Sequence, residues 1–249
     1  MDNFNEALSR FKKDWTGDNS KGENICPICG GLKWVYHKKE NGSTYVTRCE
    51  CQEKENAIIR LKRSGISEEF RKKGFKNYDD KGLETLKAAK NTAIRYCQKF
   101  PEIKNTRHNS ILFMGQVGSG KTHLSMAICN AIMDTYRTGV IYMPYRDEIT
   151  NIKQSMGDEE NYNRAMNQFK KAHVLMIDDM LKGKITEADN NILFEIVNHR
   201  YMNNMPMIIS TEKTENELLE FDEATMSRVL EMSSGYQVKI VGREYNYRI

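Results

Sequence analysis

Residues 115–122 read GQVGSGKT and match the pattern G-x-x-x-x-G-K-[ST], which is typical of a phosphate-binding loop. Glycines adopt backbone angles that other residues resist, so several N–H groups can converge on one anion. We expect Lys121 to reach the β- and γ-phosphates of a nucleoside triphosphate and the Thr122 hydroxyl to bind Mg²⁺. The alternative is a glycine-rich turn that matches by chance, but the apolar segment before the loop and the helical one after it favour the phosphate loop. The predicted nucleotide-binding residues are Gly115, Gln116, Val117, Gly118, Ser119, Gly120, Lys121, Thr122 and His123.

Two carboxylates follow the apolar run VLMI at residues 174–177. Open α/β sheets bind ligands at the carboxyl ends of their strands, so Asp178 and Asp179 are predicted to lie beside the phosphate loop. We expect Asp178 to hold Mg²⁺ through water and Asp179 to orient or deprotonate the attacking water. The alternative is a strand that ends in a polar turn. The second acid is more often Glu in such ATPases, so the shorter Asp179 predicts a closer water or slow turnover.

Four of the six cysteines form the pattern C-x2-C-x19-C-x-C. In a reducing compartment, clustered thiols indicate a metal site and not disulfides. Four sulfur ligands close a tetrahedral site, which predicts structural zinc. Two alternatives remain open, namely unliganded buried cysteines and a site in which His37 replaces one sulfur. The aromatic residues Trp34, Tyr36 and Tyr45 are predicted to pack the small core of this segment. The predicted metal ligands are Cys26, Cys29, Cys49 and Cys51.

Two further polar positions follow the acidic pair along the chain. Ser210 and Thr211 end the apolar run PMIIST and are predicted to sense the γ-phosphate, with helix capping as the alternative. Arg228 lies in FDEATMSRVLEM and is predicted to reach the nucleotide of a neighbouring subunit as an arginine finger. A surface or salt-bridged arginine is the alternative. The predicted catalytic residues are therefore Lys121, Asp179 and Arg228.

These residues require a scaffold of alternating helices and strands. The strands are apolar throughout, which predicts an α/β fold with a parallel sheet covered on both faces. Only seventeen residues follow Met232, which predicts a closing strand and no substantial lid domain. The predicted strands are 110–115, 139–145, 173–179, 206–211 and 237–242, and the predicted helices are 83–99, 121–136, most of 147–171, and 187–203.

Composition narrows the class of protein. A hydrophobic content of 39% over 249 residues supports a folded core, and no apolar run approaches the roughly 18 residues of a spanning helix. The spacing of apolar residues in 1–20 predicts a short amphipathic helix. This segment is polar and does not resemble a secretory signal, so we expect a cytoplasmic protein. Residues 52–76 contain eight basic and four acidic side chains, an excess equal to the net charge of +4 of the whole chain. This stretch is interpreted as a solvated connector, with contact to nucleic acid or an acidic partner as the alternative.

The motifs GQVGSGKTHLSMAI and VLMIDD, the short tail with MSRVLEM and the preceding cysteines together resemble the bacterial DnaC/DnaI-type helicase loaders, which are AAA+ ATPases related to DnaA. The resemblance covers nearly the whole chain. It implies a five-stranded sheet of order 5-1-4-3-2 and an N-terminal zinc domain, residues 1–62, that binds the hexameric replicative helicase. A basic linker (63–80) and an AAA+ ATPase domain (81–249) would follow. The resemblance further implies that the ATPase domain binds ATP, Mg²⁺ and single-stranded DNA and self-associates.

The resemblance also assigns roles that the residues alone left open. It carries over Lys121 and Thr122 for phosphate and Mg²⁺, Asp178 and Asp179 for metal and water, and Arg228 for the finger. Such loaders often place Asn at the end of a Thr-Ser-Asn run. Here the run is Ser210-Thr211-Glu212, and a carboxylate is a poor sensor of a phosphate. Either a hydroxyl substitutes as the sensor or the sensor role is weak. The resemblance also implies an ATPase whose hydrolysis is slow and is stimulated by DNA or a partner.

Other functions remain as alternatives. An IstB-like transposition-helper ATPase shares the phosphate-loop motif but generally lacks a cysteine segment. A P-loop kinase would need an arginine-rich lid, and a pure adaptor would bind ATP with little hydrolysis. For single-stranded DNA, the pairs Tyr136-Arg137 and Tyr145-Arg146 suggest aromatic stacking beside phosphate contacts, with ordinary packing as the alternative.

Overall fold

The computed structural model describes residues 26, 28–29, 32–39, 43–49, 51–52, 59 and 62–248. The chain divides into two compact units, Met1–Lys54, called the cysteine unit below, and Glu55–Ile249, called the C-terminal unit. The helix predicted for residues 1–20 lies outside the described residues. Among the described helices, none combines the length and the apolar character that a membrane crossing requires.

The cysteine unit contains an antiparallel hairpin. Strand β1 (Trp34–Lys38) pairs with β2 (Thr44–Arg48), and Trp34 lies opposite Arg48. All five residues of β2 are exposed, and Trp34 and Tyr45 are 43% and 45% exposed. The prediction that these two rings pack a small core is therefore wrong, and the side chain of Tyr36 lies outside the described residues. The guanidinium of Arg48 instead lies 5.9 Å from the centre of the Trp34 ring.

The C-terminal unit is built on a parallel sheet of five strands. Its strand order is β4-β5-β6-β3-β7, and every neighbouring pair is parallel. Counted within this sheet, the order is 2-3-4-1-5, so the predicted order 5-1-4-3-2 is confirmed. The strands are β3 (Ile111–Gly115), β4 (Val140–Pro144), β5 (Val174–Met180), β6 (Met207–Thr211) and β7 (Gln237–Ile240).

Helices flank this sheet close to the positions predicted. The predicted helical stretch 147–171 is divided into two helices, because Asp158 caps the second by accepting from the Asn161 amide. The helices are α1 (Glu68–Arg71), α2 (Glu84–Ile103), α3 (Lys121–Tyr136), α4 (Tyr145–Gln154), α5 (Glu159–Lys170), α6 (Glu187–Met202), α7 (Glu215–Phe221) and α8 (Glu223–Met232). Two short 3-10 helices span Phe75–Asn77 and Arg243–Tyr245.

Both faces of the parallel sheet are buried. Side chains alternate across a strand, so Leu112 and Met114 join one apolar cluster, while Ile111 and Phe113 join another on the opposite face. All five residues of β3 and of β6 are buried. This double burial explains why the strands are apolar throughout, and it holds the polar carboxyl ends of β3, β5 and β6 in fixed positions along one edge.

The stretch interpreted as a solvated connector packs in part against α3. Ile66 joins an apolar cluster of the sheet, and Ser64 is fully buried. Arg71 donates to Asn130 at 2.8 Å and pairs with Asp134 at 3.0 Å. Part of the positive charge of the stretch 52–76 is therefore neutralised by an ion pair within the C-terminal unit.

Candidate functional site: a nucleotide cavity and a four-cysteine cluster

The phosphate loop joins β3 to α3, as the motif requires. Gly115, Gly118 and Gly120 have φ values of 143°, 76° and 82°, which side-chain-bearing residues rarely adopt. A Cβ atom at Gly115 would also collide with the carbonyl of Ile240 on the neighbouring strand. Gly120 precedes the first turn of α3, whose amide N–H groups have no partner within the helix and form an anion site.

Lys121 lies at the centre of this loop. Its side chain is 5% exposed, and its ammonium group lies 2.7 Å from the carbonyl oxygens of both Gly115 and Gln116. Burial lowers the pKa of Lys121. The loop thus holds the Lys121 ammonium away from water. Phosphate oxygens of a bound nucleotide can replace its two contacts with carbonyl oxygens.

Thr122 and Asp178 form the arrangement expected for a magnesium site. The Thr122 hydroxyl donates to Asp178 Oδ1 at 2.9 Å, although 56 positions separate the two residues in the chain. Asp178 also accepts from the hydroxyls of Ser210 at 2.6 Å and Tyr142 at 3.3 Å. Burial raises the pKa of Asp178, whereas these hydroxyl contacts oppose that rise. A divalent cation would favour the ionised carboxylate, so these residues fit Mg²⁺.

Asp179 follows at the carboxyl edge of the sheet with a different set of partners. Its amide donates to Ser210 Oγ at 2.9 Å, and its carboxylate pairs with the Lys182 ammonium at 2.6 Å. The same ammonium lies 3.1 Å from Glu212 Oε1. Lys182 was missed by the sequence analysis, because no motif marks it and one of its two partners, Glu212, lies thirty positions away.

These groups surround a cavity of about 380 Å³. It is lined by residues 117–123 of the phosphate loop and α3, by Asp179, Lys182 and Glu212, by residues 73 and 77–79, and by Tyr247 and Arg248. Its size falls in the range of small-molecule sites. The cationic loop at one side and the Thr122–Asp178 pair next to it make the cavity suitable for a nucleoside triphosphate with Mg²⁺.

Two residues of the predicted loop make contacts outside it. His123 is hydrogen-bonded to the Gly74 carbonyl at 3.0 Å, and burial lowers the pKa of its imidazole. Gln116 accepts from the Gly242 amide at 3.0 Å, and its side-chain amide donates to the Gly242 carbonyl. The amide of Tyr247 donates to the Gly118 carbonyl at 2.9 Å, so the last residues of the chain contact the loop. Sequence analysis did not assign Tyr247 to the site.

The residues predicted as sensors do not line the cavity. Ser210 is buried against Asp178, and the Thr211 hydroxyl donates to the Met180 carbonyl at 2.8 Å. Glu212, the next residue, does line the cavity. The sensor roles of Ser210 and Thr211 stay predictions.

Arg228 lies on α8 and does not line the cavity of its own chain. Its guanidinium carbon lies 5.7 Å from the Phe194 ring centre and 5.4 Å from that of Tyr201. A side-chain N–H also donates to the Ala224 carbonyl. A finger role would require this arginine to act on another subunit, and it stays a prediction.

The four predicted cysteine ligands come together at the base of the hairpin. Their Sγ atoms all lie within 4.8 Å of one another, with Cys26 and Cys49 at 3.8 Å and Cys29 and Cys51 at 3.5 Å. Four thiolates at about 2.3 Å from one zinc ion would be separated by similar distances. Hydrogen bonds from backbone amides, first that of Cys29, lower the pKa of Cys26 to about 7. The cluster therefore fits a closed zinc site.

His37 is outside this cluster. Its ring is hydrogen-bonded to the Thr47 hydroxyl at 2.7 Å and stacks on Tyr45 with centroids 4.8 Å apart. The alternative in which His37 replaces a sulfur ligand therefore finds no support in the geometry of the hairpin.

The aromatic residues considered for DNA contact are packed. Tyr145 is 2% exposed within an apolar cluster, and the Tyr136 hydroxyl donates to the Cys97 carbonyl at 2.8 Å. The buried Tyr145 ring is not free to stack on a base, so the packing alternative is the correct one for it. Tyr136 is partly buried, and its contact with DNA stays a prediction.

Comparison with known proteins is consistent with this geometry. A family model described as the bacterial DnaA ATPase domain matches residues 84–236. The phage-like element PBSX protein XkdC of Bacillus subtilis (strain 168) is 36% identical over 222 residues, which cover 86% of this chain and 82% of that protein. An ATP-binding protein of insertion sequence IS5376 from Geobacillus stearothermophilus is 30% identical over 149 residues, or 57% of each chain.

Solved structures give the same fold. The DnaC helicase loader matches with a TM-score of 0.62 at 20% identity, over 70% of this chain and 99% of that one. DnaI matches with a TM-score of 0.58 at 18% identity, over 71% of this chain and 94% of that one. The α/β fold of the AAA+ type, predicted from the sequence, is confirmed, and the predicted resemblance to DnaC/DnaI-type loaders is confirmed at the level of the fold.

Proposed function

We propose that this chain, which belongs to the family of the bacterial DnaA ATPase domain, loads a hexameric replicative DNA helicase onto single-stranded DNA in an ATP-dependent manner. ATP with Mg²⁺ occupies the cavity beside the phosphate loop, and hydrolysis is slow until DNA or a partner stimulates it. Zn²⁺ occupies the four-cysteine cluster. The protein acts in the cytoplasm during the initiation of DNA replication.

One observation carries the nucleotide part of this proposal. Lys121, Thr122 and Asp178 converge at the carboxyl edge of the sheet, where Thr122 and Asp178 are 2.9 Å apart. Lys121 then contacts the β- and γ-phosphates, and the Thr122–Asp178 pair holds Mg²⁺. Asp179 orients the attacking water. The similarity to the DnaC helicase loader supports the choice of helicase loading among the functions of this fold.

We assign a separate function to each predicted domain. Residues 1–62 with the zinc cluster bind the helicase, residues 63–80 connect, and residues 81–249 bind ATP and DNA and self-associate. The cysteine unit presents an exposed strand, β2, which leaves side chains available to a partner.

Co-purification tests the helicase proposal directly. The full chain, loaded with zinc, is mixed with a hexameric replicative helicase and single-stranded DNA, with and without ATP. We expect a ternary complex that forms with ATP and fails to form with Lys121→Ala, because the variant lacks the phosphate-binding cation. Lys99→Ala is the matched control, since Lys99 is an exposed residue of α2 paired with Glu102. Binding of ATP without any helicase association would refute the loader function and leave the ATPase assignment intact.

A mixing experiment tests Arg228 as a finger supplied by a neighbour. Lys121→Ala does not bind ATP but carries Arg228, whereas Arg228→Ala binds ATP but lacks the arginine. We expect each variant alone to hydrolyse ATP poorly and their mixture to recover part of the activity. A mixture no more active than the separate variants would contradict a role across the interface.

A transposition-helper ATPase is the second candidate, because the insertion-sequence ATP-binding protein is 30% identical to this chain. That function predicts binding to duplex DNA and to a transposase. The same co-purification, with a transposase in place of the helicase, distinguishes the two functions. Association with the transposase and not with the helicase would favour the transposition helper. We favour the loader because the zinc-type cluster precedes the ATPase domain.

A further inference from the structure

Lys182 occupies an unusual position among the charges of the cavity. Its ammonium lies between two carboxylates, 2.6 Å from Asp179 Oδ2 and 3.1 Å from Glu212 Oε1. All three side chains line the same cavity as Lys121 and Thr122. The cavity thus contains a second lysine next to the predicted water-orienting acid.

The backbone after β5 holds this lysine at the edge of the sheet. Asp179 and Leu181 have φ values of 54° and 62°, and the Lys182 amide donates back to the Asp179 carbonyl at 3.1 Å. Leu181 is 2% exposed, so its side chain anchors the turn in the core. Such backbone strain at non-glycine residues persists only where the surroundings enforce it, and it is concentrated at functional sites.

Glu212 would repel a triphosphate if its charge were not compensated. It is the first residue after β6 and lines the cavity. Asp178 and Asp179 add two more carboxylates at this edge. Lys121 donates to the loop carbonyls of Gly115 and Gln116, whereas Lys182 is paired directly with Asp179 and Glu212 and offsets their charge. The contact with Asp179 raises the pKa of Lys182, which keeps it an ammonium.

We propose that Lys182 recognises the γ-phosphate and makes the site specific for a nucleoside triphosphate over a diphosphate, and that Glu212 positions it. This inference rests on the proposed ATP-binding function. Glu212 holds the Lys182 ammonium 3.1 Å away in the cavity, so this acidic residue becomes part of the recognition. The ammonium exchanges its contact with Asp179 for one with a γ-phosphate oxygen while Glu212 retains it near the phosphate.

Calorimetric titration with ADP and with a non-hydrolysable ATP analogue, both with Mg²⁺, tests this role. We expect Lys182→Met to lower affinity for the analogue about 10- to 100-fold while the affinity for ADP changes little, because only the analogue carries the γ-phosphate. Lys182→Arg should keep most of the preference, since it keeps the charge. Lys213→Met is the matched control, because Lys213 is the neighbouring lysine that pairs with Glu217 and does not line the cavity.

The double variant Lys182→Met/Glu212→Gln tests the part assigned to Glu212. Without Lys182, the Glu212 carboxylate repels the γ-phosphate, so removing its charge should restore part of the lost affinity for the analogue. A merely structural lysine would not give this recovery. A double variant that binds the analogue no better than Lys182→Met would contradict the role of Glu212.

The outcomes separate this inference from the proposed function. If Lys182→Met weakens ADP and the analogue equally, or weakens neither, Lys182 is not a γ-phosphate sensor, whereas ATP binding by the protein stands. If the wild-type protein binds neither nucleotide, the ATPase proposal itself fails and the sensor fails with it.

Discussion

The hairpin of the cysteine unit and the parallel sheet of the C-terminal unit differ in how their strands are buried. Every residue of β2 is exposed, whereas every residue of β3 and β6 is buried. In the described part of the cysteine unit, only Cys29 and Cys49 are buried. Two strands with so little burial are marginally stable in water. We therefore expect metal binding to stabilise the first unit, whereas apolar burial stabilises the second.

The same contrast applies to the two predicted metal sites. Four cysteines surround one point in the cysteine unit and leave no open ligand position in a tetrahedral zinc site. Thr122 and Asp178 offer Mg²⁺ only two protein groups, and the nucleotide and water supply the rest. The first metal is expected to carry folding free energy, whereas the second is expected to serve ligand binding.

Metal removal is expected to have the largest effect. We expect about one zinc ion per chain and, on chelation, loss of the amide NMR signals of the hairpin, because structural zinc contributes roughly 10 kcal/mol or more. The unfolding transition of the C-terminal unit should be unchanged. Cys26→Ser/Cys51→Ser should reproduce the effect without chelator. Persistence of the hairpin signals in the metal-free protein would contradict the expectation that zinc stabilises the cysteine unit.

Arg200 provides the matching test in the C-terminal unit. It is fully buried on α6 and donates to the carbonyls of Phe169, Ala172 and Pro206 at 2.8, 2.9 and 2.7 Å. Arg200→Met removes these donors from buried acceptors and should lower the free energy of unfolding by about 3 kcal/mol or more. Urea denaturation measures this change, and the zinc content should be unaffected.

Arg164→Met is the control for that variant, because Arg164 is an exposed residue paired with Glu160 one turn away. Its effect on stability should be small. Equal effects of the two substitutions would show that the buried carbonyl contacts of Arg200 add nothing to stability.

Asp178→Asn separates metal function from stability. Burial raises the native pKa of Asp178, so its ionisation opposes folding, and wild-type stability declines as pH rises from the unfolded pKa to the higher native one. The amide removes this decline, and thermal unfolding without nucleotide across that interval should detect its loss. Mg²⁺ should increase the ATP affinity of the variant about 10- to 100-fold less than it increases that of the wild-type protein. An unchanged Mg²⁺ dependence would exclude Asp178 from the magnesium site.

Thr186→Ala should have the smallest of these effects. The Thr186 hydroxyl accepts from the Asp189 amide at the start of α6, and the Asp189 carboxylate accepts from the Thr186 amide at 2.9 Å. Losing this cap should cost about 1 kcal/mol, measured by urea denaturation. Thr150→Ala, at an exposed position within α4, should be neutral or slightly stabilising. A larger loss at Thr150 than at Thr186 would contradict the capping role.

The sequence predicted the parts of the fold that depend on local patterns. Helix α3 has the predicted bounds 121–136, since a glycine-rich loop begins it and a left-handed residue, Arg137, ends it. The apolar runs gave the five strands to within about two residues at each end. Local patterns did not predict which aromatic side chains are buried and which are exposed to solvent. Trp34 is exposed because the hairpin offers little to pack against, and Tyr145 is buried because it starts a helix that lies on the sheet.

Local sequence patterns were enough to identify the loop that fits a phosphate, the acid pair at the end of β5 and the four thiols, because neighbouring residues with fixed spacing restrict backbone geometry and ligand type. The folding of distant segments against one another brought Asp178 within 2.9 Å of Thr122 and Lys182 within 3.1 Å of Glu212. Those contacts join residues thirty or more positions apart. They depend on how strands align side by side in the sheet, which no spacing within a single segment encodes.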